Sequence, residues 1–332
     1  MQLLKVHGSQ NQFFILDQTE LTQPFTDEEL TKLAQKITNP ETGILGGSDG
    51  VLVVNKPTRK PALAQMRVIN ADGSEASMCG NGLRTVARYL SEKYGQDKFE
   101  VETLNANLHV SKQPDLASGV PAFAVEISPV KFDQKDIPFA NLGHQRIIDQ
   151  FVPELYPGLK FTSIAVPNPH LISFVNRKVI MSDILGSLGK ALNTDNPYFY
   201  DGVNVNFAQI LGKNELFVHT YERGVGFTNA CGTGMSATSL ALCLTHPGMG
   251  ELGKPITVYN PGGMVKVTVH YDHQHYWMDL IGNATFTDKI KISEQALHDL
   301  DFSDAEVSST GEQDDYEKFV AGLPNFDNFE EI

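Results

Sequence analysis

Cysteine is scarce in this sequence: Cys79, Cys231 and Cys243 are the only three. So sparse and odd a count excludes a disulfide framework, and no two of them stand at the close spacing of a Cys-x-x-Cys metal pair. Long apolar runs are missing too. The longest, at 240–244, falls far short of the ~20 residues that cross a bilayer, so no membrane helix is expected. The opening Met-Gln-Leu-Leu-Lys leads into no apolar stretch, so no secretory leader is expected and the chain reads as cytoplasmic. Bases are outnumbered, 26 against 40 acids, which argues against a nucleic-acid partner because nothing would neutralise the phosphates. The formal charge of −14 is unevenly spread. Eleven acids face one base, Lys318, over 299–332, which leaves only −4 for the rest of the chain. That acidic tail reads as a solvated, partly helical appendage.

What is present fits a globular chain long enough for two compact domains. Strand patterns fall at 13–16, 51–54, 66–69, 99–110 and 122–129, and helical spacing at 27–36 places Leu30, Leu33 and Ala34 on one side. Cys79-Gly80-Asn81-Gly82 then opens a helical run at 83–89. The second half repeats this grammar: a strand pattern at 216–221, a glycine-rich turn, Cys231-Gly232-Thr233-Gly234, and a helical run at 235–244. Strand patterns at 256–259 and 265–271 follow. Two like turns in like contexts point to duplication. The polar stretch 129–138, with proline at both ends, reads as the boundary between the copies.

The Cys-Gly-x-Gly turn has a chemical meaning. Glycine lets the backbone bend sharply and lets a ligand approach its N–H groups. The first turn of the following helix has N–H groups without internal partners, and its dipole attracts an anion. A cysteine there should have its thiol pKa lowered from ~8.5. Each turn thus combines a proton-transfer group with a carboxylate cradle. Two such turns meeting at one amino-acid α-carbon could remove a proton from one face and return one to the other. No metal or cofactor is called for.

Longer signatures surround the two turns. One runs from Asn70-Ala71-Asp72-Gly73-Ser74-Glu75 through Met78-Cys79-Gly80-Asn81-Gly82, and the other from Glu222-Arg223-Gly224-Val225-Gly226 through Ala230-Cys231-Gly232-Thr233-Gly234. With His7-Gly8, Asn11, Asn168-Pro169-His170, Val203-Asn204-Val205 and Pro261-Gly262-Gly263, they resemble the diaminopimelate epimerase family over most of the chain. The resemblance implies an α/β fold of two pseudo-symmetric domains, each a mostly antiparallel sheet wrapped around a central helix. The first would be residues 1–130 plus about 283–332, carrying Cys79 and the tail; the second would be 131–282, carrying Cys231. It implies epimerisation of LL- to meso-2,6-diaminopimelate in lysine and peptidoglycan synthesis, with Cys79 as proton acceptor for the LL form. His170 and Glu222 would tune the thiols. Asn11, Asn70, Gly80, Asn81, Asn168, Asn204, Glu222, Arg223, Gly232 and Thr233 would bind substrate, the Arg223 fork holding the distal carboxylate.

The partner is then a small amino acid, with no nucleic acid or membrane, and a homodimer is left open. Two other readings are a same-fold racemase for another amino acid and a catalytically silent amino-acid-binding protein. Proline-type racemases usually carry His where Asn81 stands, and a binder has no use for two cysteines. Two departures from the family pattern stand out: Ser9-Gln10-Asn11-Gln12 where Gly and Asp are usual, expected to alter that loop, and Gly50 where some members place a substrate-contacting Gln. His270, Asp272, His273 and His275 read as a solvated hairpin tip rather than a metal site. Arg84 and Arg88, one turn apart, read as structural ion pairs, and Cys243 as a small buried hydrophobe.

Overall fold

The apolar runs near 13–16 and 51–54 become the neighbouring parallel strands Asn11–Asp17 and Gly50–Asn55, and their burial on both faces explains the near-continuous hydrophobicity. Val51 and Val53 point outward with Phe14 and Leu16, onto the Leu30, Leu33 and Ala34 face of helix Asp27–Ile37. Leu52 points the other way, against Gly82 on helix Gly80–Tyr94. That helix is buried nearly all round, from Gly80 to Ser91, so it forms the centre about which the strands wrap. Thr26 starts the outer helix with a capping box to Glu29.

The computed structural model describes residues 1–324, and two compact units can be distinguished in it: Met1–Val125 with Ile281–Ala321, and Glu126–Leu280. In the first, Gln2–Gly8 pairs antiparallel with both Asn11–Asp17 and Thr285–Lys291. Gly50–Asn55 pairs antiparallel with Ala64–Asn70, and Ala64–Asn70 with Glu75–Ala76. After the Cys79 helix, Lys98–Glu102 returns parallel to Ala64–Asn70 and turns antiparallel into Asn107–Ala117.

The second unit follows the same order. Lys160–Ala165 pairs antiparallel with Pro169–Phe174, which lies parallel to Asn204–Gly212. Asn204–Gly212 pairs antiparallel with Glu215–Glu222, and Glu215–Glu222 with Gly226–Thr228. The Cys231 helix, Gly232–Thr245, comes next; Pro255–Asn260 returns parallel to Glu215–Glu222 and turns into Gly263–Asp272. Val203, Val205 and Phe207 face outward against Leu185, Leu188 and Leu192 of helix Ile184–Leu192. The period of two sends Asn204 and Asn206 to the opposite face. The fold is therefore α/β and duplicated.

Three sequence expectations are corrected. The pattern at 99–110 is two strands, because Thr103 and Ala106 close a turn (N–H to O, 2.8 Å) between them. The helices at 83–89 and 235–244 begin earlier, at Gly80 and Gly232, with the cysteines themselves as N-caps. Up to Pro324 the tail is partly helical and largely exposed, as expected, but it packs on the first unit rather than standing free. Glu306–Ser309 adds a strand to Thr285–Lys291, and helix Glu312–Ala321 buries Tyr316 edge-on against His7. Glu312 grips both terminal nitrogens of Arg88, at 2.6 and 2.7 Å. Acidic side chains cover its outer face, which is why composition alone suggested solvation. The part of the tail beyond 324 lies outside the described residues. No helix among the described residues is long and apolar enough to cross a membrane.

Candidate active site

The Cys79 turn is built from the first unit's strand ends. Cys79 has extended backbone, and the Gly82 N–H donates to its Sγ at 3.4 Å, making the sulfur a helix cap. The first backbone bond of the helix is Leu83 N–H to Cys79 O at 2.8 Å, so the N–H groups of Gly80 and Asn81 precede the helical ladder and can serve an anion. Asn11 Oδ1 accepts from the Cys79 thiol at 3.6 Å and from Asn81 Nδ2 at 3.3 Å. Its Nδ2 donates to Asp49 at 2.6 Å, which fixes the amide's orientation, and the same carboxylate oxygen accepts from the Gln12 N–H. Asn70 ends its strand and donates to Ser74 Oγ at 3.0 Å.

The two departures have visible consequences. Ser9 and Gln10 both adopt positive φ, 53° and 66°, in the tight turn between the first two strands, where glycine is usually preferred. Asn11 nonetheless reaches the thiol. At Gly50, an added Cβ would lie 2.6 Å from the Ile69 carbonyl oxygen, so a larger residue there requires the strand to shift.

Around Cys231 the surroundings differ. The sulfur is buried, and Thr233 Oγ1 lies 3.6 Å from it. Burial, with the Glu222 carboxylate adding to it, pushes its thiol well above the usual range. This corrects the expectation that each helix start lowers its thiol. Here desolvation and a nearby acid outweigh the dipole. Glu222 Oε1 accepts from Thr228 Oγ1 at 2.6 Å, so its orientation is set by the next strand.

Asn204 Oδ1 accepts from the Arg223 N–H at 2.8 Å, while the exposed Arg223 side chain donates Nη1 to Asp201 O at 2.9 Å. His170 is fully buried, and burial holds its ring neutral, its pKa lowered to about 3. Its Nε2 meets Asn168 Oδ1 and its Nδ1 meets Asn206 Nδ2, each at 3.1 Å. Asn206 Oδ1 accepts from Thr220 Oγ1 at 2.9 Å. A Cβ at Gly234 would lie 2.4 Å from that Oδ1 and 3.2 Å from the Cys231 sulfur. His170 thus acts on the Cys231 turn through Asn206.

The structure therefore gathers Asn11, Gly80 and Asn81 at Cys79, and Glu222 and Thr233 at Cys231, while Asn168 with His170 and Asn204 with Arg223 form hydrogen-bonded pairs at strand ends of the second unit. Asp49, Asn206 and Thr220 were missed by sequence reasoning. The alternation Val203-Asn204-Val205-Asn206-Phe207 contained the signal for Asn206, an amide facing inward between apolar residues. Arg88 makes the expected ion pairs, with Glu92 and Glu312. Arg84 does not. It donates to Asn283 O and Ser9 Oγ instead, each at 3.1 Å. Cys243 is only half-buried, its thiol pushed up to about 11 by burial. His270 stacks on Trp277 and bonds Asp279 at 2.9 Å. Among the described residues, no three His, Cys, Asp or Glu side chains stand ready for a metal ion.

Comparison with known proteins adds a second line. The sequence model for diaminopimelate epimerase matches residues 3–122 and 162–287. A diaminopimelate epimerase of Ligilactobacillus salivarius is 52% identical over 97% of this chain and 99% of its own length. One from Enterococcus faecalis is 49% identical over 96% and 97%. Among solved structures, a Bacillus anthracis phenazine biosynthesis protein of the PhzF family aligns with a TM-score of 0.60 at 15% identity, over 88% of this chain and 99% of that one. A hydroxyproline epimerase from Agrobacterium vitis aligns with a TM-score of 0.54 at 15% identity, over 85% and 88%. These two structures share the fold.

Proposed function

The chain belongs to the diaminopimelate epimerase family, and from that premise we propose that it interconverts LL- and meso-2,6-diaminopimelate by proton transfer between Cys79 and Cys231, in the service of lysine and peptidoglycan synthesis. The observation that carries this reading is the duplicated placement of the sulfurs. Each is the N-cap of its unit's central helix, at the same point of the same strand order. The Cys79 thiolate takes the α-hydrogen of the LL substrate. The negative charge left behind moves onto the adjacent carboxylate, where first-turn N–H groups of Gly80, Asn81, Gly232 and Thr233 stabilise it. Cys231, kept protonated by burial and Glu222, delivers its proton to the opposite face. Bonds balance: one C–H breaks and one forms, one S–H forms and one breaks, and no electrons change hands. Arg223, Asn11, Asn70, Asn168 and Asn204 read as the groups that select the substrate, with Glu222 holding an ammonium.

Incubation of LL-diaminopimelate in heavy water tests this. Early in the reaction the meso product should carry one solvent deuterium at the inverted carbon, while recovered LL substrate keeps its hydrogen. Cys79→Ser and Cys231→Ser should each slow epimerisation by about 10²–10⁴-fold, the usual contribution of a positioned acid or base. Deuterium appearing first in recovered substrate, or an active serine variant at either position, overturns the two-thiol reading. Turnover of proline or another amino acid in preference to diaminopimelate overturns the substrate.

A further inference from the structure

Arg84 lies on the Cys79 helix, five residues after the cysteine, and is fully buried. A buried charge is costly unless an opposite charge or a full set of acceptors meets it. Here Nε donates to Asn283 O and Nη2 to Ser9 Oγ, while the buried Nη1 makes no hydrogen bond. No carboxylate pairs with it among the described residues. The seat is made to its shape: a Cβ at Gly8 would fall 2.9 Å from Nη2, and one at Gly282 would fall 2.9 Å from Nε. Burial lowers its pKa only to about 10, so the cation persists at neutral pH.

Two groups nearby carry charge that would favour this cation, Cys79 and Tyr316. Burial pushes the Tyr316 phenol up to about 12, which removes it as a counter-ion. The other titratable and charged groups around the pair are His7, Asp49, Arg88, Glu312 and Glu317. His7, on the first strand, is held neutral by burial, its pKa lowered to about 4. Asp49 is engaged by Asn11 and the Gln12 N–H. Arg88 is held by Glu92 and Glu312, and Glu317 stands near His7. That leaves the Cys79 sulfur.

We propose that Arg84 is a positioning residue for the epimerisation: its guanidinium, seated by Ser9 and Asn283, is the counter-charge for the Cys79 thiolate. The inference rests on Cys79 being the proton acceptor of the LL form. A Cβ at Gly8 would also fall 2.7 Å from Asn81 O, so Gly8 lies between the guanidinium and the first turn of the Cys79 helix. Lysine could keep the charge but not the fork that joins Asn283 to Ser9.

Alkylation of the intact chain by iodoacetamide, followed cysteine by cysteine with mass spectrometry from about pH 5 to pH 10, reads the thiolate directly. In Arg84→Met the Cys79 midpoint should rise by about one pH unit or more, roughly tenfold slower alkylation at neutral pH, while the slow alkylation of buried Cys231, whose thiol ionises above this range, stays unchanged. Arg84→Lys should keep the wild-type midpoint and lose kcat. An unmoved Cys79 profile in Arg84→Met, an equal change of alkylation rate at both cysteines, or a rise in Arg84→Lys overturns the proposal. Should Arg84→Met fail to fold, the wild type and Arg84→Lys still decide: a wild-type midpoint at or above the ordinary ~8.5 sinks it. Alkylation needs no substrate, so this outcome is independent of the heavy-water result. Inversion with an unshifted profile removes only Arg84, and a shifted profile without inversion keeps the pairing of Arg84 with Cys79 but removes the two-thiol reading and, with it, the part of Arg84 in epimerisation.

Discussion

The two cysteine turns share a backbone plan and differ in charge. Nine residues before each cysteine, at the last residue of an equivalent strand, stand Asn70 and Glu222. Five residues after, on the helix, stand Arg84 and Ser236. One turn therefore has an amide and a buried cation; the other has a carboxylate and a hydroxyl whose bond goes to its own helix, Ser236 Oγ to Gly232 O at 2.9 Å. At Cys231 the carboxylate adds to burial in holding the thiol protonated, and the Cys79 turn has no carboxylate at the matching strand end. The duplicated fold supplies two like helix starts, and on the proposed mechanism the side chains that differ around them suit one sulfur to act as base and the other as acid. A one-way division is what inversion of the LL substrate requires.

The largest effect that would sharpen this comparison is steric. Gly82 and Gly234 occupy the same place, three residues after each cysteine. A Cβ at Gly234 presses on Asn206 Oδ1 and the sulfur, both held by hydrogen bonds; a Cβ at Gly82 meets the tip of the Leu52 side chain, 2.7 Å away. Gly234→Ala should lower kcat by about a hundredfold, the scale of an ångström's misplacement of a reacting group. Gly82→Ala should cost only a few-fold, because a leucine terminus can yield. Steady-state kinetics on both, with a thermal melt to check folding, decides the matter. Equal losses would mean that the Asn206 brace at Cys231 has no special part.

Charge gives the next effect. Glu222→Gln keeps the side chain's shape and its bond to Thr228 but removes the negative charge that, after burial, raises the Cys231 thiol. With that charge gone, Cys231 ionises at lower pH. A reaction that needs it protonated then fails earlier on the alkaline side. The alkaline limb of kcat/KM should move down by about one unit. Because Glu222 also reads as an ammonium contact, KM should rise as well. A higher KM with an unmoved limb would make Glu222 a binding group only.

How much of this was legible beforehand follows from the physics of each feature. Strands buried on both faces, such as Gly50–Asn55, read clearly because nearly every residue is apolar. The cysteine helices read clearly because glycine and sulfur mark their starts. Gln2–Gly8 escaped notice, since Lys5 and His7 interrupt its apolar pattern; both are buried, Lys5 donating to Leu45 O and His7 accepting from the Gln10 N–H. Asp49 and Arg84 were invisible as site residues for a related reason. Their partners, Asn11 on one side and Ser9 and Asn283 on the other, come from distant segments, and no spacing along the chain announces them. The tail was misread because net charge reports the exposed side chains of a helix and not the Tyr316 it buries.

The smallest effect concerns how each central helix is backed. Nine residues beyond the cysteine, Leu240 fills the second unit's core, whereas the first unit carries Arg88 there. Arg88 lies 4.0 Å above the Phe286 ring, donates to Ala284 O at 2.8 Å and is clasped by Glu312, whose Oε2 also accepts the Phe286 N–H at 2.9 Å. One carboxylate thus ties helix Glu312–Ala321 to the Cys79 helix. Glu312→Gln removes its charge while leaving Arg88 paired with Glu92, so the loss should be about 1–2 kcal/mol of stability. Glu312 meets the Cys79 helix at Arg88, nine residues beyond its N-cap, so kcat should stay within about twofold. Denaturant unfolding and turnover measured on one preparation test both halves of that expectation. A large fall in kcat at unchanged stability would show that the C-terminal helix acts on the thiol, and that the two halves differ in more than the charges beside their sulfurs.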